Sequence, residues 1–107
     1  MAAASAVVVE RGTKQFQGMF KEMWKVSATL DAGSLVDAAG ETETVAVPGV
    51  VVGDIVLGFS FGVDLVGVTA TAYVSAANVV TIRLQNESGS TADLASTGIK
   101  LVVGRLA

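Results

Sequence analysis

The chain contains no cysteine and no histidine. Without thiols it can hold no disulfide framework, no zinc–thiolate centre and no cysteine nucleophile. Without imidazole it lacks the usual general base, and its serines have no histidine to activate them. Aromatic residues are sparse, with one Trp (Trp24), one Tyr (Tyr73) and four Phe. That is thin for a surface that stacks sugars or single-stranded bases. Charge is sparse too: Asp, Glu, Lys and Arg make up 16% of the 107 residues, and no cluster of cations suits a phosphate backbone. Uninterrupted hydrophobic runs are missing as well. The longest apolar region, residues 45–63, is broken by Pro48, Asp54, Gly49, Gly53, Gly58 and Gly62, so it is no membrane-spanning helix. The first nine residues lack the positive start of a signal peptide, and Glu10 and Arg11 follow directly.

What the chain has in plenty is small and apolar side chains. The hydrophobic fraction is 51%, more than a lone domain of this size needs, and little charge is left to cover its surface. This implies burial against copies of itself or against a partner. The net charge of −3 is unevenly placed. Residues 1–30 carry Arg11, Lys14, Lys21 and Lys25 against Glu10 and Glu22, whereas the remainder carries three cations against eight acids. A basic N-terminal arm on an acidic body suits docking onto an acidic protein surface; an ordinary solvated segment is the plainer alternative.

Residues 66–86, VGVTATAYVSAANVVTIRLQN, form the best-determined stretch. Val66, Val68, Ala70, Ala72 and Val74 alternate with polar residues, and Val80, Ile82 and Leu84 do the same. Period-2 alternation marks strands with one buried face. Paired strands must agree in face, which sets Val74 against Val80, Ala72 against Ile82 and Ala70 against Leu84. A three-residue loop, Ala76-Ala77-Asn78, meets this register, with Asn78 in the left-handed conformation.

The same pattern predicts other strands. In residues 24–30, Trp24, Val26, Ala28 and Leu30 face one way; residues 41–47 form a strand ended by Pro48-Gly49. Residues 55–61 place Ile55, Leu57, Phe59 and Phe61 on one face, and the last strand places Ile99, Leu101 and Val103 inward. Residues 31–40 and 87–96 read as loops. Residues 1–9 read as a flexible tail whose Val7–Val9 run is able to join an edge strand. Phe16, Met19, Phe20 and Met23 follow helical spacing, although Gly18 weakens it, so residues 14–23 form a short helix or an extended arm. The expected fold is an all-β antiparallel sandwich of six to eight short strands (residues 24–107), a jelly-roll arrangement being one option, behind an N-terminal arm or short helix (residues 1–23).

No catalytic set stands out. Glu41 and Glu43 share a strand face and in principle could act as an acid–base or metal pair, but charges on a strand more often keep an exposed edge soluble. Asp31, Asp37, Asp54 and Asp64 sit by turns, where Asp bonds local amides. Neither the glycines nor the carboxylates have the spacing of a phosphate cradle or a metal loop, so no cofactor and no metal are expected. Tyr73, beside Thr71 and Arg83, is the candidate ligand platform, with a cross-strand pairing to Thr81 as the simpler role.

Three pieces carry a family likeness: VGDIVL at residues 52–57, TAYVSAANVVTIRLQN at 71–86 and DLAS at 93–96. From Trp24 onward the chain resembles short β-rich structural proteins of tailed bacteriophages, among them capsid decoration or cement proteins, including those of cyanobacterial phages. The resemblance implies a non-enzymatic virion protein on the outer capsid surface. Its partners would be the major capsid protein and itself, as a homotrimer, with neither nucleic acid nor membrane bound. The arm residues Arg11, Lys14, Phe16, Phe20, Lys21 and Lys25 would then contact neighbouring capsid subunits; the aromatics could equally cap one end of the core. A head- or tail-fibre module that binds host carbohydrate is the alternative.

Overall fold

A computed structural model describes residues 2–11, 19–31, 33–65, 67–94 and 96–106. Among these residues there is no helix. The strands are β1 (Ala2–Ala3), β2 (Ser5–Arg11), β3 (Phe20–Leu30), β4 (Gly33–Leu35), β5 (Gly40–Ala46), β6 (Ile55–Phe61), β7 (Val68–Ala76), β8 (Val79–Asn86), β9 (Ala92–Leu94) and β10 (Thr97–Leu106). They form a sheet of order β1-β5-β8-β7, a second of order β2-β3-β10-β6, and a small β4–β9 pair. Every ladder is antiparallel except β1–β5. The expected all-β antiparallel fold is present, with the two larger sheets in a sandwich-like arrangement.

The core follows the alternation. Trp24, Val26, Ala28 and Leu30 of β3 are buried, as are Ile99, Leu101 and Val103 of β10. Val45, Val80, Ile82 and Leu84 supply the opposite sheet. Each fully buried aliphatic side chain of this size contributes roughly 1.5–3 kcal/mol. The β7–β8 register is the one the sequence dictates, Val74 opposite Val80, Ala72 opposite Ile82 and Ala70 opposite Leu84. Asn78 has a φ of 66°. The loop itself is tighter than expected: Ala76 pairs with Val79, and a bulge between Val74 and Ala76 takes up the odd residue.

Three expectations change and one holds. Residues 31–40 and 87–96 are not plain loops, because each contributes a strand to the β4–β9 pair. Within the segment read as a helix or extended arm, residues 20–23 are extended and open β3; residues 14–18, with Lys14 and Phe16, lie outside the described residues. The Val7–Val9 run does join an edge strand, β2, against β3. In β6, Phe59 and Phe61 pack on the core as expected, but Val56 joins them, while Ile55 and Leu57 are exposed. The reason is a register shift opposite β10, where Val102 faces Gly58 and Val103 faces Val56. One extra residue turns the first half of the strand over.

Candidate docking face and the Trp24 cluster

At the end of the sandwich where β3 begins, Trp24 is fully buried, and its indole Nε1 donates to the Pro48 carbonyl (3.1 Å). Its two neighbouring strands each send an arginine toward the ring. Arg11 of β2 sits opposite Trp24 with its guanidinium carbon 5.0 Å from the ring centroid; Arg105 of β10 reaches to 5.2 Å. Cations over an indole face are attracted by its quadrupole. Arg105 also holds Asp54 through two bonds of 2.9 Å and donates to the Gly49 carbonyl (3.0 Å). Asp54 accepts from the Val51 amide as well (2.9 Å), which is the local turn bond expected of it. The hydrogen bonds from Arg105 hold the Asp54 carboxyl below the ordinary carboxylate range, against the upward push of burial and with help from the Val51 amide. Gly49, at φ +100°, leaves room for Arg11, whose Nη1 would lie 2.9 Å from a Cβ there.

The outward side of the same end is apolar. Gly104 faces out, opposite Met23 on β3 and Ile55 on β6. A Cβ at Gly104 would lie 2.7 Å from the Phe20 ring and 3.2 Å from Leu57, so both side chains lie over the glycine. Phe20 pairs with Leu106 because the ladder shifts beside Lys21. The resulting patch of Phe20, Met23, Ile55, Leu57, Val102 and Leu106 includes Leu57 at 44% and Leu106 at 60% exposure. Exposed lysines border it: Lys25 lies opposite Val102, Lys100 opposite Ser60, and Lys21 at the bulge. Beside Gly58 the surface dips into a shallow groove of about 250 Å³ that Lys100 and Val102 help to line.

Four of the six arm residues thus have described positions, and they divide into two roles. Phe20, Lys21 and Lys25 belong to the outward face. Arg11 turns inward over Trp24 and pairs with Glu22 (3.2 Å). Lys25 approaches Glu10 at 3.9 Å. The reading of Glu41 and Glu43 as guards of an exposed edge does not survive: β5 is an interior strand, and Glu43 is fully buried at 0% exposure opposite Ile82. The Asp54–Arg105 pair was not visible in the sequence, since 51 residues separate the partners.

The opposite outer face, on β5, β8 and β7, is polar. Arg83 donates to the Thr42 hydroxyl (3.1 Å), and Tyr73 stands 54% exposed opposite Thr81. The two sheets therefore present different chemistry to their surroundings. Among the described residues, no three carboxylates cluster as a metal ion would require. No protein-family model matches the chain, and neither a curated protein nor a solved structure matches it significantly.

Proposed function

We propose that the chain is a structural protein of a phage virion, a capsid cement or decoration protein that binds the outer shell and bridges neighbouring capsid subunits. The observation that carries this reading is the apolar patch around Gly104 with Lys21, Lys25 and Lys100 about it. Contiguous apolar surface with a polar rim marks protein interaction sites, and the lysines favour an acidic partner. The likeness of residues 52–57, 71–86 and 93–96 to virion structural proteins points the same way. In this reading the protein has no catalytic role, and it assembles as a homotrimer on the shell.

The alternative, a carbohydrate-binding fibre module, needs an exposed aromatic platform. Trp24 is buried, which leaves Tyr73 for that role.

The test is sedimentation with purified capsids of the phage that encodes the chain. Truncating residues 1–22 would remove β1, β2 and the start of β3, so point substitution is cleaner. Lys25→Glu with Leu106→Glu should weaken capsid binding at least tenfold, by about 1.4 kcal/mol or more, with the fold intact by circular dichroism. Undiminished binding would reject this face. A handful of copies per particle, where a shell component needs hundreds, would reject the cement role.

A further inference from the structure

The two flanks of the sandwich, where its sheets end, are built differently. On one flank lie β1 and β2. There β1 is two residues long, β2 is bulged between Ser5 and Val8, and Glu10 and Arg11 add charge. Short strands, bulges and charges are the standard defences of a sheet edge against pairing with another chain. On the other flank lie β6 and β7, consecutive in the chain and ending opposite sheets. Both are bulged as well, at Leu57 and Ser75, and β6 is as long as β2; what sets them apart is that they contain no Asp, Glu, Lys or Arg. Among the described residues, β6 pairs with β10 alone and β7 with β8 alone.

We infer that this neutral β6–β7 flank is where a second copy of the chain docks. The choice of occupant follows from charge. Where one contiguous patch lies on the symmetry axis of a closed oligomer, like charges on it face one another and oppose assembly. The lysine-bordered face of β3, β10 and β6 would repel itself. So would the end formed by residues 31, 33–39, 62–65, 67, 87–94 and 96, which carry Asp31, Asp37, Asp64, Glu87 and Asp93 and no cation. The β6–β7 flank meets itself without that cost. Its size is adequate. Strands of seven to nine residues at ~3.3 Å per residue, across a molecule 21–23 Å in its two shorter extents, give roughly 500–700 Å² per copy. Two copies bury on the order of 1,000–1,400 Å², around the lower bound for specific interfaces. This flank adjoins the proposed capsid face, which also uses Ile55 and Leu57 of β6, but its test needs no capsid.

The experiment is sedimentation equilibrium on the purified full chain and on variants. Thr69→Glu with Tyr73→Glu places two acids on exposed positions of β7, opposite Gln85 and Thr81; Val8→Glu places one on β2, at a position 56% exposed. The wild-type chain and the Val8→Glu variant should associate equally. The double variant should associate about a hundredfold more weakly, since juxtaposed like charges cost several kcal/mol at an interface. Hydrogen exchange should show the β6 amides gaining protection as wild-type concentration rises, with those of β2 unchanged. A wild-type monomer at high concentration, an unaffected double variant, or equal disruption by Val8→Glu would each overturn the inference.

Discussion

The two ends of the sandwich are closed by different chemistry. Where β3 begins, closure is ionic: Asp54 grips Arg105, and Trp24 sits between strands that each lend it a guanidinium. Where β8 ends, closure is neutral. The Asn86 side chain, fully buried, donates to the carbonyls of Leu35 (2.8 Å) and Ser90 (2.9 Å) and accepts from the Ser88 amide (3.0 Å) and hydroxyl (2.7 Å). Its backbone also pairs with Ala38 and Ala39. Both clusters tie a loop to the sheets. At the Asn86 end the central side chain carries no titratable proton, although Asp37 also accepts from the Gly89 amide there (3.1 Å); at the other end the central pair is itself ionic. The ionic end lies beside the proposed capsid face.

The largest effect is therefore expected at the neutral end. Asn86→Ala removes four hydrogen bonds and leaves the Leu35 carbonyl to be satisfied in a buried setting. A buried group left without its partner costs about 1–3 kcal/mol, so a loss near ~3 kcal/mol is expected in urea unfolding. The loss should be the same at pH 3 and pH 7. A loss below about 1 kcal/mol would place the closure of this end elsewhere, in the β4–β9 pair.

Asp54→Asn is expected to cost less, about 1–2 kcal/mol, the scale of charge-assisted bonds, because Arg105 keeps the Gly49 carbonyl. Its signature is in the pH dependence. The folded-state pKa of Asp54 lies below its ordinary value of 3.8. The unfolded state thus takes up a proton first as pH falls, and the stabilisation present above about pH 4 is lost through the depressed folded pKa. Asp54→Asn should flatten the acid limb of the stability curve while Asn86→Ala leaves its shape alone. An unchanged acid limb in Asp54→Asn would remove the distinction between the two ends.

The neutral end and the ionic end were unequally legible in the sequence. Alternation fixes which side of a strand is buried, so the β7–β8 register and the inward faces of β3 and β10 were readable from residues 66–86, 24–30 and 99–103. The same rule misplaced Ile55 and Leu57, because a bulge at Leu57 breaks the period and leaves no mark in composition. Three-residue strands such as β4 and β9 are too short to show a period at all. Phe20 was read as a helical-face residue since its spacing to Phe16 and Met23 fits 3.6, yet its position over Gly104 comes from a ladder shift at Lys21. The Trp24 cluster was hidden for a different reason. Its members, Arg11, Asp54 and Arg105, come from three distant segments, and only the strand order β2-β3-β10 brings the two arginines to either side of the tryptophan.

Arg11 gives the smallest and sharpest contrast within the ionic end itself. Its side chain is about half exposed and pairs with a partly exposed Glu22, whereas the Asp54 side chain is almost wholly buried. An exposed pair is screened by counterions, and an exposed cation–π contact contributes about 0.5–1 kcal/mol. Arg11→Met keeps most of the aliphatic packing over Trp24 and removes the charge. It should therefore cost no more than about 0.5–1 kcal/mol at low salt, and the difference should shrink toward zero at about 1 M salt, where the screening length is ~3 Å. Asp54→Asn should keep most of its cost in the same titration, because its ion pair is sheltered from solvent. If both variants lost their effect in salt together, the Asp54–Arg105 pair would be no better shielded than Arg11, and the ionic end would be a surface feature rather than a closure.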